Sequence, residues 1–243
     1  MDQTAFANLE TRTNGFLAGI AQTDSRLNGA LLLTASYKSD AYTDTLFDTL
    51  GIPCPPNIAH AALRRKADYL AGRAIALAAM KVLDVSPAPI TTSPSRAPIW
   101  PEGLAGSISH ARGRCACLLS QDTDQSYGVD TEALAQGKSL TAILSETLTA
   151  KDRVTITQGT LSPATNATLA FSAKETLFKA FYPQVGCHFG FDTAELTTAP
   201  TQDQITLRLT TDLTSSLTKG QSWTLHTHLS DNHVLTWLAV PVP

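Results

Sequence analysis

Charge is scarce in this 243-residue chain: Asp, Glu, Lys and Arg make up 16% of it and the net charge is −3. Without an overall basic field, no nucleic acid is expected as a partner, and anion binding is left to local clusters. Uninterrupted apolar runs of about 18 residues are missing, so no transmembrane segment is expected. The start, MDQTAFANLETRTNGFLAGI, is acidic early and lacks a basic region followed by an apolar one, so no secretory signal is expected. No CxxC pair occurs among the four cysteines, Cys54, Cys115, Cys117 and Cys187. Cys115 and Cys117 stand too close for an ordinary disulfide. Reduced thiols in a cytoplasmic protein are the expectation. Internal repeats and low-complexity tracts are also lacking. What the chain does have is 43% hydrophobic residues, enough for a sizeable core in one large domain or two small ones.

The most informative stretch is Phe171 to Pro183, FSAKETLFKAFYP, which has helical periodicity and ends at a proline that cannot continue a helix. At about 100° per residue, Phe171, Leu177, Phe178 and Phe181 share one arc with Lys174 in its middle. Glu175 and Lys179 sit at the edge of that arc, spaced for a helical ion pair. A lysine on an apolar arc must either snorkel to solvent or meet an anionic partner.

A second helix is expected from Asn57, as N-cap, to about Leu83, with an apolar stripe of Leu63, Ala67, Leu70, Ala74 and Leu77. Arg65, Lys66 and Arg73 lie beside that stripe, with Asp68 off their face. They form either a solvated basic edge or an anion site. Before this helix, Leu27 to Ser36 reads as a strand, Asp40 to Leu50 as a short helix or turn, and residues 1 to 26 are weakly patterned. After it, Ser86 to Pro101 carries Pro87, Pro89, Pro94, Pro98 and Pro101 and is expected to be extended, with Arg96 in it. Gly106 to His110 reads as a strand end and turn, and Cys115 to Ser120 as a strand. Ser107 and Ser109 lack the Gly-x-Ser-x-Gly pattern of a nucleophile elbow, which counts against a serine hydrolase.

Tyr127 to Glu132, YGVDTE, reads as a buried strand whose Asp130 and Glu132 project to one face, with Thr131 pointing away. Two carboxylates on one face either hold a hard cation such as Mg²⁺ or mark a strand end open to solvent. Lys138 to Ile156 is expected to be helical and Gly159 to Asn166 a loop. Val185 to Leu196 is aromatic and irregular. Ile205 to Leu209, Trp223 to Leu229 and Val234 to Val240 read as strands. His226 and His228 share a strand face but lack the further ligands of a metal site.

RKADYLAGR, RAPIWPEGLAGSISH, YGVDTE and FSAKETLFKAFYP occur in the order and spacing of Sfp-type 4′-phosphopantetheinyl transferases, and the chain most resembles their enterobactin-synthase component D subgroup. The resemblance covers roughly residues 50 to 192. It implies an α+β fold of two pseudo-symmetric halves, residues 1–124 and 125–243, each a helix packed on a small antiparallel sheet. The active site is expected in the cleft between them. The implied reaction moves the phosphopantetheine arm of coenzyme A to a serine of an apo acyl or peptidyl carrier protein and releases adenosine 3′,5′-bisphosphate.

The resemblance assigns Arg65, Arg73 and Arg96 to the nucleotide end of coenzyme A, with Lys66 assisting, and Ser109 and His110 to the phosphates. Asp130, Glu132 and Glu175 match the carboxylates that hold Mg²⁺. Lys174 and Lys179 match lysines near the pyrophosphate, and Glu175 is the candidate base, acting directly or through a metal-bound water. A monomer is implied, since both halves lie in one chain, and the subgroup likeness suggests a siderophore or other nonribosomal peptide carrier, with polyketide and fatty-acid carriers also open. A non-catalytic module that binds coenzyme A or a carrier is the alternative on the same fold.

Overall fold

A computed structural model describes residues 3–242, with side chains from residue 6. The chain divides into two compact units, residues 1–123 and 124–243.

The first unit opens with helix α1 (Gln3–Arg12) and strand β1 (Leu17–Thr23), inside the stretch read as weakly patterned. β1 is an edge strand with an irregular register between Ala18 and Ala21, and it is exposed along most of its length. An edge that buries neither face carries no alternation to read. β2 (Ala30–Tyr37) follows, and then α2 (Thr45–Leu50) and α3 (Pro56–Ala59). The long helix α4 starts only at Leu63 and runs to Val82. The single helix expected from Asn57 to Leu83 is therefore broken at residues 60–62. No proline or glycine causes this. Ile58, 3% exposed, anchors the short first piece, so tertiary packing overrides local propensity. Leu63, expected in the apolar stripe, is 53% exposed, whereas Ala67, Leu70 and Ala74 are buried.

The proline-rich segment forms a small hairpin, β3 (Thr91–Thr92) with β4 (Pro98–Ile99). Strands β5 (Ala105–Ala111) and β6 (Arg114–Ser120) join through Arg112 and Gly113, both at positive φ, as a tight hairpin turn requires. Ser109 and His110 therefore belong to the strand itself and not to a turn. The antiparallel sheet runs β1-β2-β6-β5, and α4 packs across β2, β6 and β5. Gly72 lets helix and sheet approach: a Cβ there would stand 2.8 Å from Ile108 Cγ2.

The second unit opens with β7 (Gln125–Ala133). The helix expected over Lys138 to Ile156 is interrupted. α5 (Gly137–Ala142) passes into a wide π turn, Leu148 is extended, and α6 (Ala150–Thr155) restarts. A capping box restarts it, with the Thr149 and Asp152 side chains each accepting the other's backbone N–H.

Helix α7 (Pro163–Val185) is longer than the expected Phe171–Pro183 at both ends. It begins inside the stretch read as a loop, because Ser162 caps Thr165 N–H and Pro163 occupies the first turn. Pro183 lies in its last turn, where few hydrogen bonds remain to be lost. Gly186, left-handed at φ +72, closes the helix by donating to Tyr182 O at 2.8 Å.

A 3₁₀ turn (Phe191–Thr193) leads into β8 (Ala194–Leu196), β9 (Gln204–Leu209), β10 (Ser222–Leu229) and β11 (His233–Pro241). The antiparallel sheet order is β7-β11-β10-β9-β8, and α7 lies on β7 and β11. Here too a glycine sets the spacing: a Cβ on Gly128 would stand 2.1 Å from Thr176 O. Ser172 and Thr176 of α7 meet the Thr236 hydroxyl at 2.9 and 2.6 Å, which satisfies polar groups inside the seam.

Candidate active site

In the first unit, α4, β5 and the proline hairpin enclose a pocket of about 340 Å³. Arg65, Arg73, Arg96 and His110 all line it, so four of the expected coenzyme A contacts converge there. Arg73 is 8% exposed. Its Nε donates to Ile90 O at 3.0 Å, its Nη2 donates to Thr92 Oγ1 at 3.1 Å, and its guanidinium lies 4.7 Å from the centre of the Tyr69 ring. Burial pulls its proton affinity down, with partial compensation from Tyr69. Arg96, at φ +71, holds the turn of the hairpin that presents it. Lys66 instead turns to Asp44, 3.1 Å away.

Ser109 precedes His110 on β5, so its side chain takes the opposite face of the sheet, and the expected pair is split between faces. Asp68, read as lying off the basic face, is in the pocket wall with Arg65 and Arg73. It accepts from Tyr37 Oη at 2.5 Å and stands 3.8 Å from His110 Nδ1.

In the second unit, Asp130 on β7 is 3% exposed, and its Oδ1 accepts from Lys179 Nζ at 2.8 Å. Lys179 also donates to Val129 O at 3.0 Å. The ion pair expected along the helix, Glu175 with Lys179, thus gives way to one from helix to strand. Glu175 is half-buried, and burial pushes its carboxyl above the usual range. The nearby charge of Asp130 pushes it the same way, while Lys179 and His188 oppose. His188 gave no signal in the sequence. It lines a pocket of about 170 Å³ with Glu175, Phe178, Phe189 and Phe191.

Lys174 is placed differently from the expected coenzyme A contact. It is 4% exposed and donates to Asp152 Oδ2 at 2.6 Å, Phe191 O at 2.9 Å and Thr147 O at 3.1 Å. An ammonium has three donors, so the protein itself meets all of them. Of the two outcomes open for a lysine on an apolar arc, the anionic partner is realised, as Asp152. The Thr149/Asp152 capping pattern was the available signal for that residue.

Among the described residues, no group of three or more His, Cys, Asp or Glu side chains is gathered closely enough to hold a metal ion. The expected set of Asp130, Glu132 and Glu175 therefore does not close into a triad. Glu132 is half-buried further along β7, and Lys179 supplies Asp130 with positive charge. The pair Asp130 and Glu175 nonetheless suits a hard cation. Both offer carboxylate oxygens, their charges repel, and Mg²⁺ is commonly held by one or two carboxylates plus substrate phosphates.

Each unit is a long helix on an antiparallel sheet, with a cationic pocket in one and a repelling carboxylate pair in the other, an α+β architecture. Residues 55–120 match the 4′-phosphopantetheinyl transferase N-terminal domain, and residues 126–238 match the 4′-phosphopantetheinyl transferase superfamily. The chain belongs to this family. It is 35% identical to enterobactin synthase component D of Salmonella typhi over 62% of each chain. To the protein of the same name from Salmonella typhimurium it is 35% identical over 70% of each. To the 4′-phosphopantetheinyl transferase Svp of Streptomyces mobaraensis it is 31% identical over 74% of this chain and 75% of the other.

Proposed function

We propose that this chain transfers the 4′-phosphopantetheine arm of coenzyme A to a serine of an apo carrier protein, in a Mg²⁺-dependent reaction that releases adenosine 3′,5′-bisphosphate. The observation that carries the reading is the Asp130–Glu175 pair with Lys179 on it, in the part of the chain that matches the superfamily. The reading assigns the nucleotide phosphates to Arg65, Arg73, Arg96 and His110. Lys179 serves the pyrophosphate.

Glu175 receives the proton of the carrier serine, directly or through one water. The serine oxygen forms a new bond to the phosphorus of the pantetheine phosphate. The bond from that phosphorus to the bridging oxygen breaks, and the leaving adenosine bisphosphate takes the electron pair. Asp130 and Glu175 would hold Mg²⁺, with Glu132 as the further expected carboxylate, and the ion would supply charge that offsets what builds on the leaving phosphate. Relatives named enterobactin synthase component D point to peptidyl carriers of siderophore assembly as the partners. The reading takes the protein as a cytoplasmic monomer.

The test is the intact mass of an apo peptidyl carrier after incubation with the protein, coenzyme A and Mg²⁺, with an EDTA control. A gain of one phosphopantetheine arm that EDTA abolishes supports the reading. Binding of coenzyme A without transfer to any carrier would favour a binding module.

A further inference from the structure

The pocket that gathers Arg65, Arg73, Arg96 and His110 is lined by one carboxylate, Asp68. In a pocket meant for phosphate, an anion lowers affinity unless it acts on something else. Its geometry shows what it acts on. Asp68 Oδ1 accepts the Tyr37 hydroxyl at 2.5 Å, and Oδ2 faces His110 Nδ1 at 3.8 Å. Burial, then the hydrogen bond and charge of Asp68, push the ionisation of Tyr37 far above the ordinary range. Tyr37 is therefore a donor at every working pH, which fixes the carboxylate and turns its second oxygen to the imidazole.

We propose that Asp68, clamped by Tyr37, is a positioning residue that keeps His110 cationic and aimed so that it can serve a phosphate of coenzyme A. The inference rests on the reading of this pocket as the coenzyme A phosphate site. Three cations line the same pocket as the imidazole: Arg65 and Arg73 from α4, and Arg96 from the hairpin. Each of them opposes a charge on His110. On β6, Cys115 lies across from His110, and burial pushes its thiol up to about 12, so it brings no charge. Tyr37 from β2 is neutral. Asp68, 3.8 Å from the imidazole, is an anion placed to offset the arginines. A 3.8 Å separation is too long for a good hydrogen bond but well within the reach of charge attraction. A neutral amide at position 68 would keep the shape and lose that attraction.

The experiment is calorimetric binding of coenzyme A to the full chain across about pH 5.5 to 8.5, the range in which histidine changes charge. The proteins are wild type, Asp68→Asn, Asp68→Glu, His110→Ala and the double variant of Asp68→Asn with His110→Ala. In Asp68→Asn, the pH at which affinity falls off should move lower, with affinity at neutral pH down about three- to tenfold, a tenfold loss being about one pKa unit. Asp68→Glu should restore much of the wild-type profile. In the His110→Ala background the sign should reverse: removing the anion should leave affinity unchanged or improve it. A purely structural role for Asp68 would weaken binding in both backgrounds and leave the pH midpoint in place, which would overturn the inference. An unmoved midpoint in Asp68→Asn, with wild type still binding coenzyme A, overturns the inference alone. Wild type that fails to bind coenzyme A overturns the functional reading beneath it.

Discussion

Lys174 Nζ lies 2.6 Å from Asp152 Oδ2, with the Asp152 side chain fully buried and that of Lys174 2% exposed. Asp152 also accepts Leu196 N–H at 2.7 Å and Thr149 N–H at 3.0 Å, so this carboxylate ties α6, α7 and β8 together. Removing one partner of a buried pair leaves the other charged and unsatisfied. Asp152→Ala is expected to lose about 3–5 kcal/mol of stability, read from urea unfolding. A loss below about 1 kcal/mol would contradict the buried pair.

Glu175 gives a pH dependence of definite sign. Its carboxyl is raised by burial and by Asp130, so the folded state holds that proton more tightly than the unfolded chain. The group therefore costs stability above the ordinary glutamate range, and the cost vanishes below it. Glu175→Gln should unfold at higher urea than wild type at neutral pH and converge with it near about pH 4. The same variant should lose transfer by about 100-fold or more if Glu175 is the base. A more stable, inactive protein is the expected combination, and a variant with full transfer would sink the assignment.

Gly128 lies where helix and sheet meet in the second unit, with backbone of α7 in the way of any Cβ. Gly128→Ala should force β7 and α7 apart, with a loss of about 1–3 kcal/mol or more. Because β7 carries Asp130 and α7 carries Glu175 and Lys179, transfer should fall further than stability alone explains. Thermal melting measured alongside transfer rate separates the two effects.

Arg73 is expected to matter for coenzyme A binding and for the hairpin. It is held by Ile90 O and Thr92 Oγ1 and stacked on Tyr69. Arg73→Ala should raise the half-saturating coenzyme A concentration by about tenfold or more, the scale of a charged hydrogen bond, with less effect on the maximal rate. An unchanged half-saturation value would remove Arg73 from the phosphate site.

Much of this site was legible in short segments. YGVDTE reads as a buried strand and FSAKETLFKAFYP has a helical period, so both elements followed from local pattern. The partners of the lysines did not. Lys179 has Glu175 four residues earlier on its own helix, yet it reaches Asp130, 49 positions away in sequence. Lys174 finds Asp152 in a different helix. Such pairings are set by how elements pack, which periodicity does not encode. Asp68 lies off the arc of Arg65, Lys66 and Arg73 on a helical wheel, yet it lines the same pocket as Arg65 and Arg73, to which β5 and the hairpin add other walls. The break before Leu63 is likewise set by burial of Ile58, not by a breaker residue.

The measurement that tests the central claim most directly is the mass of an apo peptidyl carrier after incubation with this protein, coenzyme A and Mg²⁺, beside the Asp130→Ala and Glu175→Gln variants. The account predicts one added phosphopantetheine arm with wild type and none with either variant or with EDTA. A carrier modified at wild-type rate by both variants, or in EDTA, would contradict it.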